Sequence, residues 1–307
     1  MLCTIKYLRV YATTKCNANC WYCFNESQPF NCSTLEDVAG FKWLINQMVS
    51  DYGTEIIRFT GGEPLLNPHL NELIEIAKGT GVKKVGLTTN GLLLHNATDK
   101  FTKSGVDKFA VHLHQLDLQP ANLLRIKSHM DTIRQKVPSV KFNIVVTKRN
   151  IAYVEKIVDF AIERNVNLLL LELLQAGNTD RDFEENFCKL ESIRNILLNH
   201  GLIETVENIN SKLYTKTNST IKLVEHYADY SSRKSYCTRM LPLHPILLTP
   251  DFSFCACTHF GKKNFSVKDA VVKRDKNALQ QGITELKSYL SQCQDCPACT
   301  VLQDNVT

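Results

Sequence analysis

Lys15–Phe24 reads KCNANCWYCF, with Cys16, Cys20 and Cys23 in a CxxxCxxC spacing. A short apolar run, Tyr7–Thr13, precedes it and predicts a strand that delivers the cysteines on the loop at its C-terminal end. Clusters of the 4Fe–4S type take four thiolates as a rule, so three on one loop point to a cluster with one iron left open for another ligand. A zinc knuckle, or three reduced structural thiols, fits the cysteines equally well when they are taken alone.

Outward from this loop the chain alternates. Ser33 and Glu36 have capping-box spacing and predict a helix to about Ser50. Strands are expected over Glu55–Thr60, Lys83–Thr89, Lys108–His114, Lys141–Thr147 and Asn167–Leu174. Between them, helices are expected over His69–Lys78 behind Asn67-Pro68, near Ala97–Ser104, over Ala121–Lys136, and from Asn150 to Arg164. Strands and helices at this spacing make parallel βα units. Six of them predict an α/β fold, a partial (β/α)6 barrel with its site at the strand C-termini. A helix over Asp182–His200 and two short strands about Thr217-Asn218 follow.

The run Glu55–Thr60 ends in Gly61-Gly62-Glu63-Pro64. The glycine pair lets a ligand approach the backbone closely, and Glu63 supplies a negative charge suited to an ammonium group. Together with the cysteine loop, this segment resembles the radical S-adenosylmethionine (radical SAM) superfamily. Within it, LRVYATTKCNANCWYC, EIIRFTGGEPLLNPHLNELI, VGLTTNGLLL, VKFNIVV and LLLELLQAG look like the branch holding the GTP 3′,8-cyclases. The resemblance implies that Cys16, Cys20 and Cys23 hold a 4Fe–4S cluster, that the cofactor SAM chelates its open iron, and that Gly61, Gly62, Glu63 and Pro64 hold the SAM amine. It also implies that Tyr22 meets the adenine, that Thr88 or Thr89 faces the ribose or methionine, and that Lys141 and Asn143 meet the carboxylate. Lys141 and Asn143 share one face of their strand by alternation, as do Glu172 and Leu174; Leu174 could pack on the adenine or in the core. Where the family has a serine–leucine–aspartate–serine stretch, this chain has His112-Leu113-His114-Gln115. His112 and His114 are candidate catalytic groups, because imidazole titrates near neutrality.

Of 12 cysteines, six lie after residue 236: Cys237, Cys255, Cys257, Cys293, Cys296 and Cys299. A structural zinc site is one reading. By resemblance, a cysteine, a hairpin, a second cysteine and a late CxxC match a shortened auxiliary-cluster ("twitch", SPASM-like) domain. That implies an auxiliary 4Fe–4S cluster on Cys237, Cys255, Cys293 and Cys296, with Cys257 and Cys299 spare or replacing a neighbour. The expected division is a barrel over 1–200, a connecting segment over 201–236 and the auxiliary domain over 237–307.

The chain has 307 residues, 44% hydrophobic, enough for one large domain and a small one. No apolar run approaches a membrane span and the N-terminus lacks a signal-peptide layout, so a cytoplasmic enzyme with reduced thiols is expected. A net charge of +5 without a basic block gives no indication of nucleic-acid binding and mildly favours an anionic substrate. The expected partners are a small-molecule substrate, nucleotide- or sugar-like, and an external one-electron donor such as flavodoxin or ferredoxin. Only fifteen residues precede Cys16, too few for a leader-gripping domain. A peptide substrate presented by a separate partner, and a non-enzymatic metal-binding protein, are the alternatives.

Overall fold

The computed structural model describes residues 4–23, 33–95, 103–113, 131–173, 183–208, 211–216, 219–224, 245–255 and 264–292. Strands β1 (Tyr7–Thr13), β2 (Ile56–Gly61), β3 (Lys84–Thr89), β4 (Lys108–His112), β5 (Ser139–Val146) and β6 (Asn167–Glu172) lie side by side in that order, all parallel. Helices α1 (Val38–Ser50), α2 (Leu70–Gly79) and α3 (Ile151–Arg164) cover one face. This is the α/β array of a partial (β/α)6 barrel.

Alternation along the strands explains the layering. Leu8, Val10, Ile57, Phe59, Val85, Leu87, Phe109, Val111, Phe142, Ile144, Leu168 and Leu170 form one core with Phe41 and Leu44 of α1, Leu73 and Ile74 of α2, and Ile157 and Val158 of α3. The intervening residues face the other way. They include Arg9, Arg58, Thr60, Thr88, Lys108, His112, Lys141 and Asn143. A purely structural parallel sheet is apolar on both faces, so a polar inner face marks the side that takes a ligand.

The sheet continues beyond the six expected strands. After a single turn at Phe183–Asn186 and α4 (Glu191–Asn199), β7 (Ile203–Asn208), β8 (Ser211–Lys216) and β9 (Ser219–Val224) form an antiparallel run whose last member pairs parallel with β6. At the other edge β10 (Ile246–Leu248) pairs parallel with β1 and antiparallel with β11 (Ser253–Cys255), followed by β12 (Asn264–Ser266). Then α5 (Lys268–Lys273) and α6 (Lys276–Gln292) pack back on the N-terminal half. Arg274 lies 5.9 Å over the Trp43 ring and Lys276 Nζ is 3.4 Å from Asp51.

Several expected boundaries shift for physical reasons. Ser33 does not cap α1, because residues 33–35 are drawn out along the end of β1: Thr14 N–H donates to Ser33 O, Leu35 N–H to Ala12 O, and Thr34 bridges Thr13. Asp37 caps instead, accepting from Gly40 N–H at 2.7 Å. Asn67 accepts from His69 N–H, but its amide is spent on Ala12 O and Leu35 O, so α2 opens at Leu70. The helix expected over Asp182–His200 is interrupted after Asn186, whose carbonyl accepts from Lys148 N–H and whose side chain accepts from Arg149. Strands β4 and β6 end two residues early, at His112 and Glu172. The helices expected near 97–104 and 121–136 lie largely outside the described residues.

His200, at the C-terminus of α4, contacts the Ile196 carbonyl through Nδ1 (2.8 Å) and Asp159 through Nε2 (2.7 Å). Both partners accept, so both nitrogens donate only in the imidazolium. The Ile196 carbonyl, and then Asp159, hold its pKa above the ordinary value against partial burial. A raised folded pKa gives stability present below the unfolded value and lost as pH rises through the folded one. Relative to His200→Gln, the wild type should therefore melt higher at pH 6, by at most about 1 kcal/mol for so exposed a pair, with the gap closing by pH 8 in a series of thermal melts.

Candidate active site

The cysteine loop and the glycine loop are joined backbone to backbone. Gly62 N–H donates to Thr13 O and Glu63 N–H to Lys15 O, both at 2.8 Å. Gly61 has φ +155, and a Cβ there would stand 2.4 Å from Thr13 O; one at Gly62 would stand 2.3 Å from Lys15 O. No side chain fits either position, which accounts for both glycines.

Glu63 is fully buried. Its Oε1 accepts from Leu65 N–H (3.0 Å) and the Thr89 hydroxyl (2.7 Å), and its Oε2 from Asn90 N–H (2.7 Å). Burial pushes the carboxyl above the ordinary carboxylate range, with the bonds from Asn90, Thr89 and Leu65 pulling the other way. Pro64, also buried, opens a 3-10 turn over Pro64–Leu66 that turns the chain into α2.

Cys16 is exposed, Cys20 and Cys23 are half-buried, and all three are reduced thiols. Cys23 N–H donates to Cys20 O at 3.0 Å, which closes the CxxC turn. The Cys16 sulfur accepts from Ala18 N–H at 3.4 Å and from Asn90 Nδ2 at 3.8 Å. The same Nδ2 donates to Asn17 Oδ1 at 2.8 Å. Farther along, Arg149 lies 4.6 Å over the Trp21 ring, and Tyr22 Oη is 3.4 Å from His112 Nε2. The loop thus leaves β1, crosses the strand ends and rests on β4 and on the turn after β5.

The expected site residues divide by face. Thr88, His112, Lys141 and Asn143 fall on the inner alternation, with His112 beside Asn143 in register and Ala110 beside Lys141. Thr89 turns to Glu63 instead. Glu172 shares its alternation with Leu168 and Leu170, which pack against the helices, and its charge reaches Cys188, whose thiol burial already pushes up. It therefore lies off the face of Lys141 and Asn143. Cys255 is buried on the inner side with Tyr11 and Leu247, and Leu247 pairs with Arg9. His114, Leu174, Cys237, Cys257, Cys293, Cys296 and Cys299 lie outside the described residues.

The residues present suit a thiolate-held cluster and SAM. Three soft sulfur donors share one loop that a backbone ladder fixes. Two inner-face atoms, Thr88 Oγ1 and Asn143 Oδ1, are buried without a hydrogen-bond partner. Buried polar atoms are normally satisfied, so two orphans on the inner face fit a polar ligand bound there.

Reasoning from the sequence did not single out Asn90, Arg9 or Arg58. Arg9, Arg58 and Lys108 lie in one row with Gly86 between the last two. The missing side chain of Gly86 leaves room for Arg58, whose Nε would be 3.2 Å from a Cβ there. Alternation back from Thr60 and Tyr11 would have put both arginines inside; Asn90 carries no signal beyond its place next to Thr89.

The chain matches the model of the Radical SAM superfamily over residues 10–186. The match spans more than half of its length, and the chain belongs to that superfamily. Its kinship is with the GTP 3′,8-cyclase-like branch. It is 32% identical over 278 residues to a probable GTP 3′,8-cyclase of Sulfurisphaera tokodaii, covering 87% of this chain and 85% of that protein. To the GTP 3′,8-cyclase of Marinobacter nauticus it is 30% identical over 220 residues, 67% of this chain and 66% of the other. Among solved structures, Streptococcus suis SuiB bound to S-adenosylmethionine shares the fold at a TM-score of 0.61 and 15% identity, covering 92% of this chain and 68% of that one. The protein is thus a radical SAM enzyme that works with a 4Fe–4S cluster and SAM. No helix of the described residues is long and apolar enough to cross a membrane.

Gly62→Ala tests the joint between the loops. The added methyl must displace main chain, a change of the overpacking kind that costs about 1–3 kcal/mol. The variant should fold with a lowered Tm, take up less iron on anaerobic reconstitution and bind SAM at least tenfold more weakly by equilibrium dialysis. A control at Gly79, an exposed glycine with open space around it and no positive φ, should change none of these.

Proposed function

We propose that the enzyme removes a hydrogen atom from an anionic, nucleotide-like small molecule, with GTP the first candidate. The observation that carries this reading is the inner face of the sheet. Arg9, Arg58, Lys108, Lys141 and Lys222 all fall on it. The described strand residues of β1 to β6 and β9 contribute no acid to that face. Arg9 and Arg58 are nearly buried, at 9% and 7% exposure. The planar fork of arginine suits phosphate.

When bound at Cys16, Cys20 and Cys23 and at the Gly61–Pro64 loop, the cluster and SAM supply a 5′-deoxyadenosyl radical, the electron coming from a flavodoxin- or ferredoxin-like donor. The chain's own residues orient and enclose. Thr88 and Asn143 hold SAM through their orphan oxygens, Lys141 neutralises its carboxylate, and Tyr22 lies toward the adenine. His112, against Tyr22, is the candidate for proton transfer or substrate contact. An auxiliary 4Fe–4S cluster on Cys237, Cys255, Cys293 and Cys296 is part of the same proposal. Buried Cys255 borders the arginine row by way of Leu247, so substrate held on Arg9 would lie next to it.

A peptide substrate is the second reading, favoured by the fold shared with SuiB, which has been solved with the precursor peptide SuiA. The two readings part on the arginine row. With reconstituted protein, SAM and dithionite, GTP should stimulate 5′-deoxyadenosine release and a new nucleotide product should appear by mass spectrometry. Arg58→Ala should weaken GTP binding at least tenfold, as expected when a charged hydrogen bond worth about 1.5–3 kcal/mol is lost, while Arg58→Lys recovers part of it. GTP that neither binds nor stimulates would remove the nucleotide reading.

A further inference from the structure

We propose that Asn90 is a positioning residue that couples the SAM-binding loop to the cluster thiolate and raises the cluster's reduction potential. The inference rests on the assignment of Cys16 as a cluster ligand and of the Gly61–Pro64 loop as the SAM cradle. Asn90 stands at the end of β3, at 7% exposure, and every polar group it has apart from its own carbonyl is engaged. Its backbone N–H donates to Glu63 Oε2 at 2.7 Å, and its side-chain Oδ1 accepts from Leu92 N–H at 3.0 Å. Its Nδ2 donates to Asn17 Oδ1 at 2.8 Å and reaches the Cys16 sulfur at 3.8 Å. One residue therefore touches the carboxylate that braces the glycine loop and the first thiol of the cysteine loop.

Such a link acts in two separable ways. The main-chain contact to Glu63 survives any side-chain substitution, so the SAM cradle keeps its brace. The amide contact to Cys16 does not survive. Donors to cluster sulfurs draw electron density from the iron and favour the reduced state, and they are among the levers that set a cluster's potential. Leucine or alanine would remove the donor. Aspartate keeps the shape and Oδ1, but it sets an acceptor, and at neutral pH a negative charge, against the thiolate. The order of potentials should be wild type, then Asn90→Ala, then Asn90→Asp as the most negative.

The test uses the full chain, reconstituted anaerobically, with iron counted and the SAM-binding cluster identified as the one whose EPR signal changes when SAM is added. Asn90→Ala should keep its iron and bind SAM within about threefold of wild type. Its one-electron reduction equilibrium should fall about tenfold, which is about 59 mV, and Asn90→Asp should fall further. Asn17→Ala, which frees the amide from its second anchor, should shift in the same direction but less. Asn90 variants with full iron and the wild-type potential would overturn the proposal, as would loss of iron without a shift in the clusters that remain, since that describes a packing residue. A wild-type chain whose EPR signal ignores SAM would instead strike the underlying assignment of Cys16 and the glycine loop.

Discussion

Two main-chain hydrogen bonds, Gly62 to Thr13 and Glu63 to Lys15, hold the chemistry of this protein in place. They join the outgoing ends of adjacent parallel strands just where each strand gives way to a functional loop. The strand ladder between β1 and β2 breaks register near Thr13, and the glycine pair restores contact with the displaced backbone. A Cβ at either glycine would stand 2.3–2.4 Å from a carbonyl oxygen of the facing loop, so the main chain would have to move apart. Cys16 follows Lys15 directly and Cys23 lies eight positions beyond it, so the cysteines inherit their placement from a ladder rather than from their own side chains.

Around that joint the polar groups are layered along the strand axis. Glu63 and its donors Leu65, Thr89 and Asn90 occupy the C-terminal rim. Thr88, His112, Lys141 and Asn143 stand on the inner face below it, and the Arg9, Arg58 and Lys108 row lies about two residues, roughly 7 Å, deeper than Thr88. Buried charge of one sign at each level separates what each level attracts. The acid end suits an ammonium and the basic end suits phosphate or carboxylate. On the proposed reading, cofactor and substrate are sorted by depth before any specific contact forms.

The sequence carried much of this arrangement because its inner and outer faces differ so sharply. Alternation in LRVYAT or VKFNIVV places the apolar residues on the helix side, so strands of this kind announce themselves. Their ends are harder to read. Ser33 looked like a helix cap because local spacing is blind to the pairing of residues 33–35 with β1, which draws that segment out. The flanking strands β9 and β10 were invisible as parts of the same sheet, since their partners β6 and β1 lie about fifty and two hundred and forty residues away. Pairing at such separation leaves no periodic trace near either strand.

The site follows the same division. Motif residues with a covalent or steric demand, the cysteines and the glycine pair, are legible because few side chains meet that demand. Residues that act by where they point are not. Asn90 could have been any turn-forming residue after a strand, and Arg58 reads as one more surface cation until its register with Arg9 and Gly86 is known. Glu172 shows the converse: an acid at a strand end looks like a ligand-facing group, yet its alternation with Leu168 and Leu170 and its field at Cys188 turn it toward the helices. Side-chain direction is fixed by the pleat and by the packing of the opposite face, so the buried apolar positions, which bind nothing, are what aim the polar ones.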